Sequence, residues 1–155
     1  MPITRRLLAA LPLSASALAC SEPAAPTPAP PSVLGVYALH TAAGGAPPAL
    51  IQHIVETETG LQMQVYVMTD TLELDAGGQY QQRAQIEVRS GTTLVNRARW
   101  ADHGTYALRN GAMHFESDYL QNVTFEGSAG TSSISLVQDL VGEGTTVEYV
   151  LRPAS

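Results

Sequence analysis

The sequence predicts an all-β domain, a small antiparallel up-and-down β-barrel of eight or nine strands. Three observations carry that prediction. Residues 79–88 alternate strictly: Tyr80, Ala84, Ile86 and Val88 share one side, and Gln79, Gln81, Arg83, Gln85 and Glu87 share the other, which is the period of a strand with one wet face. Asn110-Gly111 stands between two short apolar runs, the strongest short signal for a two-residue hairpin. No stretch sustains a helical period, and Gly-rich turns recur at hairpin spacing.

Taken in order, residues 34–40 read as a first strand, with Gly35, Tyr37 and Leu39 on one side. Gly44, Gly45, Pro47 and Pro48 then break the chain. Residues 50–57 fit either a strand or a short helix, and their Ile and Val content favours a strand. Residues 61–75 are long for one strand. Met63, Val65 and Val67 hold one parity and Leu72 and Leu74 the other, so a bulge or break is expected near Thr69-Asp70. After Asp75-Ala76-Gly77-Gly78 the alternating strand begins. Ser90-Gly91-Thr92 turns the chain into residues 94–100, where Leu94, Ala98 and Trp100 face one way and Arg97 and Arg99 the other. Asp102-His103-Gly104 is expected to bend this strand before residues 105–108.

A type I′ turn at Asn110-Gly111 fixes a register: Arg109 opposite Ala112, Leu108 opposite Met113, Ala107 opposite His114 and Tyr106 opposite Phe115. Both apolar pairs then fall on one face, so turn chemistry and burial agree. Three further strands follow at residues 121–126, 133–141 and 146–152. Because nearly every connection is short, sequence neighbours are expected to be sheet neighbours, and a meander of this length closes most readily as a barrel, which removes exposed edges.

The barrel occupies residues 33–155. Ahead of it, residues 1–19 have the pattern of a signal peptide: Arg5 and Arg6, an apolar run from Leu7 to Leu18, and small residues at Ala17 and Ala19. That run is too short for a permanent membrane span. Cys20, the single cysteine of the chain, follows directly, and Ala17-Leu18-Ala19-Cys20 resembles the lipobox of bacterial lipoproteins, in which the cysteine is lipidated. The resemblance implies an exported protein held in the cell envelope, at the outer membrane or its periplasmic face. Simple secretion after Ala19 is the alternative. Residues 20–32 form a Pro/Ala-rich linker. In polyproline II, at ~3.1 Å per residue, it would span roughly 35–40 Å.

Composition excludes several classes. The 155-residue chain has a formal charge of −6 and no lysine. A net acidic surface is unsuited to nucleic acid, which needs clustered cations. One cysteine excludes an internal disulfide or a Cys-based zinc site. No nucleophile elbow, phosphate-binding loop or paired-His zinc motif is present, so no catalytic residue, cofactor or metal is assigned and no enzymatic activity is expected. Of the histidines, His114 is expected outward beside Glu116, and His103 opposite Asp118. Asp70, Asp102 and Asp139 are read as residues of strand ends and bulges.

The segments G-V-Y-A-L, L-E-L-D-A-G-G-Q-Y, W-A-D-H-G-T-Y-A-L-R-N-G-A-M-H-F and V-E-Y-V-L-R resemble the lipocalin-like domains of small bacterial envelope lipoproteins. Leu72, Leu74, Gly78 and Tyr80 match one hairpin motif of that family, and Gly104 and Tyr106 a later one. The likeness runs from about Leu34 to Arg152 and implies a barrel; it carries over no catalytic residue. Tyr37 stands where a lipocalin has tryptophan.

Inside such a barrel three amides stand out. Gln82, Asn96 and Gln138 each interrupt an apolar face, either as polar anchors of a cavity or as residues of the barrel mouths. With Tyr37, Tyr66, Trp100 and Tyr106 they form the candidate ligand-binding set. The expected function is an envelope-anchored, non-enzymatic module binding a small apolar or amphipathic ligand. The alternative is a filled barrel, a structural or interaction module that meets an envelope protein or inhibits an enzyme.

Overall fold

A computed structural model describes residues 33–119, 123–140 and 144–154. The leader, Cys20 and the linker lie outside the described residues. Among the described residues nine strands follow one another without a helix: β1 Gly35–Ala42, β2 Ala49–Val55, β3 Gln62–Leu74, β4 Gln79–Ser90, β5 Thr93–Arg109, β6 Ala112–Ser117, β7 Thr124–Ala129, β8 Ile134–Gln138 and β9 Val147–Pro153. All pairings are antiparallel.

Eight strands close into a barrel, β1-β3-β4-β5-β6-β7-β8-β9 and back to β1. β2 is the exception to the expected meander. β1 lies along the last part of β3 (Gly35 opposite Leu74, Ala38 opposite Thr71), and β2 lies along its first part (Ala49 opposite Val67, Val55 opposite Gln62). The two strands share one edge of β3 end to end. This arrangement is available because β3 has 13 residues and β5 has 17, more than the barrel wall uses. The surplus, with β2 and the end of β4, forms a four-stranded wing beyond the barrel.

The register predicted from Asn110-Gly111 is the one observed, from Arg109 opposite Ala112 to Tyr106 opposite Phe115. Both turn residues have positive φ, 53° and 84°, as a type I′ turn requires. The expected bulge in β3 falls between Val67 and Thr69. Met68 is the extra residue. It resets the alternation so that Val65 and Val67 before it, and Asp70, Leu72 and Leu74 after it, are all buried.

β5 differs from expectation in two ways. It runs unbroken through Asp102-His103-Gly104, because β4 pairs with it continuously there, Gln82 with Asp102 and Tyr80 with Gly104. Gly104 serves close approach rather than bending: a Cβ there would stand 2.0 Å from the Glu116 carbonyl oxygen of β6. Second, the register slips between Val88 and Arg89. Leu94 therefore pairs with outward-facing Arg89 and is 47% exposed.

The core fills one end of the barrel. Phe115 and Phe125 stack with centroids 4.6 Å apart, and Tyr80 meets both edge-on at 5.2 and 5.7 Å. Leu72, Leu74, Met113, Ile134, Leu136 and Leu151 surround them, each at most 2% exposed. Each such side chain contributes about 1.5–3 kcal/mol by leaving water.

Candidate functional site

Next to this apolar packing the barrel interior turns polar. Asp70 on β3, Gln82 on β4, Asp102 on β5, Ser117 on β6 and Gln138 on β8 are all buried, with the hydroxyl of fully buried Tyr149 on β9. Strand parity puts them inside: Asp70 precedes Leu72 by two, Asp102 follows Trp100 by two, and Ser117 follows Phe115 by two. They form a polar belt at the wing end of the barrel.

Two of these six groups, Asp102 and Ser117, are satisfied. Asp102 accepts from Tyr80 Oη at 2.6 Å, from Ser117 Oγ at 2.6 Å and from the backbone N–H of His103 at 2.9 Å. One carboxylate thus ties β4, β5 and β6 together. Burial, followed by the hydrogen bond to Asp102, raises the Tyr80 phenol above its ordinary range.

The other four each keep an unpartnered atom. Gln82 Nε2 donates to Asp70 Oδ2 at 2.8 Å. Asp70 Oδ1, Gln82 Oε1, both amide atoms of Gln138 and the Tyr149 hydroxyl meet no hydrogen-bond partner among the described residues. Burial lifts the Asp70 carboxyl to about 7, against the opposing pull of Gln82 and of the Thr71 backbone N–H. The Tyr149 phenol is raised by burial first and then by the charges of Asp70 and Asp139. Buried polar groups are normally paired, so this concentration of unpartnered donors and acceptors makes this end of the barrel the candidate site.

A groove of about 200 Å³ opens at the same end, where Trp100 and Phe125 meet Val123 and Val137 above Gln138 and Asp102, with Asp139 at its edge. Val123 and Val137 are 43% and 49% exposed. The groove thus has apolar walls and a buried amide beneath them.

The residues singled out from sequence are dispersed. Gln82, Gln138 and Trp100 belong to this end of the barrel. Gln82 is fully buried and bonded to Asp70, and Gln138 lies under the mouth. Asn96 is exposed on the wing, a correction to its inward reading: β5 there extends past the barrel, where no opposite wall covers it. Tyr66 sits on the outer face of the wing, beside Glu87 and with Arg89 5.4 Å over its ring. Tyr37 is buried and donates to the Val33 carbonyl at 3.1 Å. Tyr106 packs against Phe115 and donates to the Asp75 carbonyl at 2.8 Å. These last three are not brought to the groove.

Asp70 follows the β3 bulge, as read from sequence, but it is buried; Asp102 stands mid-strand and buried, not at a strand end. Ser117 and Tyr149 escaped notice because their neighbours two residues away made each look like part of an apolar face; that same parity is the signal that places them inside. His114 is exposed as expected, but Nδ1 pairs with Glu126 Oε1 on β7 at 2.7 Å, not with Glu116. His103 stands beside Asp118 through the backbone, its carbonyl accepting from the Asp118 N–H at 2.9 Å.

The arginines of β4 and β5 are sorted to the outer face. Arg89 and Arg97 both grip Glu87, at 2.5 and 2.6 Å, and these hydrogen bonds, Arg89 first, lower the Glu87 carboxyl below its ordinary range. Arg83 and Arg99 flank a shallow depression with Thr69 and Thr71. Among the described residues no group of three His, Cys, Asp or Glu side chains converges to hold a metal ion.

Compared with known proteins, the chain matches no family model, and no curated protein or solved structure matches it either.

Proposed function

We propose that this is a non-enzymatic binding module, exported and held in the cell envelope through a lipid on Cys20, which takes a small apolar or amphipathic ligand at the mouth of its barrel. The observation that carries the reading is the groove itself: apolar walls from Trp100, Val123, Phe125 and Val137 over the unpartnered amide of Gln138. Ligand pockets combine such walls with a few placed polar groups. Because side chains fill the apolar end of the barrel, the ligand lies across the mouth rather than deep inside.

Trp100 is the only tryptophan and reports directly. Saturable quenching or a blue shift on titration with a short-chain amphiphile supports the reading; no response across alcohols, amines and acids of medium chain length ends it. Mass spectrometry of the mature N-terminus tests the anchor, which an unmodified Cys20 would remove.

The interaction-module reading has its own support. The first part of β5, upstream of His103, pairs only with β4 among the described residues, and it leaves a free edge beside exposed Leu94 and Val95. Such edges recruit extended segments of other chains. Slowed amide exchange over residues 93–99 in the presence of the cell's own envelope fraction, with Trp100 fluorescence unchanged, would favour it.

A further inference from the structure

Resting on the mouth groove as the ligand site, we infer the class of head group it accepts: one that donates hydrogen bonds and carries no negative charge, such as an alcohol, an amide or an amine. Amphiphiles headed by a carboxylate are refused.

The barrel wall sorts charge by strand parity. β4 and β5 alternate so that Arg83, Arg97 and Arg99 face outward, while their neighbours Gln82 and Asp102 face in. Among the described residues, the titratable side chains that line the groove are both acids, Asp102 and Asp139. Asp70 lies beyond them, hydrogen-bonded to Gln82. A carboxylate head seated here would meet like charge with no cation to offset it, in a medium that screens less than water.

The acids already have donors of their own. Asp102 holds three, and Asp139 Oδ2 accepts from the Gly144 N–H at 2.6 Å. They set the sign of the field without needing the ligand. Beneath the groove, Gln138 has an amide oxygen and an NH2 that are both buried and without a partner; a head group reaches them by displacing the side chains that cover them. An alcohol or amide satisfies both; an amine satisfies the oxygen and gains from the acidic surroundings; an anion can use only the nitrogen.

The test titrates full-length protein at pH 7.5 with decanol, decylamine and decanoate, each below its aggregation threshold, following Trp100 fluorescence. Decanol and decylamine are expected to bind at least about tenfold more tightly than decanoate. Equal affinity for all three overturns the head-group inference and leaves the apolar groove standing; saturable binding by none of them overturns both. Asp139→Asn keeps an acceptor for the Gly144 N–H and removes one charge. It is expected to raise decanoate affinity relative to decanol severalfold. An unchanged ratio of the two affinities in this variant, with the fold intact, would show that charge is not what sets the preference.

Discussion

Gln82 donates its side-chain N–H to Asp70 at 2.8 Å, and neither residue reaches solvent. This pair makes the barrel's interior sensitive to pH. Burial holds the Asp70 carboxyl at about 7, far above its ordinary value. The unfolded chain releases that proton near pH 4, whereas the folded chain keeps it to about 7. Stability is therefore fullest below pH 4, falls as pH rises through the interval, and levels off above 7. Asp70→Asn removes the titration and gives Gln82 Oε1 a donor. Urea unfolding should show the variant close to the parent at pH 4 and more stable by on the order of 2–4 kcal/mol at pH 8. Parallel curves for the two proteins across that range would refute the assignment.

Asp102, unlike Asp70, has three donors in place. Tyr80→Phe keeps the ring among Phe115 and Phe125 but takes a hydroxyl from a buried carboxylate, at a cost of about 1–3 kcal/mol. Ser117→Ala should cost a similar amount. The two donors share one acceptor, so the double variant should depart from additivity by at least ~0.5 kcal/mol. Denaturant midpoints for the four proteins of the cycle check this.

The architecture was legible in sequence wherever two local signals agreed. At Asn110-Gly111 turn chemistry and apolar pairing named the same register, and β6 took it. At Met68 a change of parity announced the bulge. β2 was not legible as a strand set apart from the barrel, because sharing an edge of β3 with β1 is a long-range choice that no local pattern encodes. The belt was legible in part. Gln82 and Gln138 stood out as polar residues on apolar faces. Asp70 and Asp102 obeyed the same parity, but a charged residue beside a bulge or a turn-forming triplet has a cheap local explanation. Only pairing across β3, β4 and β5 shows that no strand ends there.

Gly104 and Gly91 separate two uses of glycine. A Cβ on Gly104 would collide with backbone of β6, which cannot move without breaking the Gly104–Ser117 pairing. Gly104→Ala should therefore lose about 3 kcal/mol or more, or fail to fold. Gly91 has φ +60° with open space around it, so Gly91→Ala should cost only about 1 kcal/mol, from backbone strain alone. Thermal unfolding of both variants tests the ranking, and equal losses would contradict it.

Gln138 separates a structural role from a functional one. Its amide is buried with neither atom partnered, an arrangement that weakens the fold relative to an apolar side chain of similar size. Gln138→Leu should raise stability by about 1–3 kcal/mol. If the amide were there only for packing, nothing else would change. If it receives a ligand's head group, the same variant should bind decanol several times more weakly while the free protein becomes harder to unfold, the trade expected where a site keeps polar groups open for a partner. Trp100 titration and urea unfolding of one preparation read both quantities. A variant that gains stability and keeps its full affinity for decanol would remove Gln138 from the site.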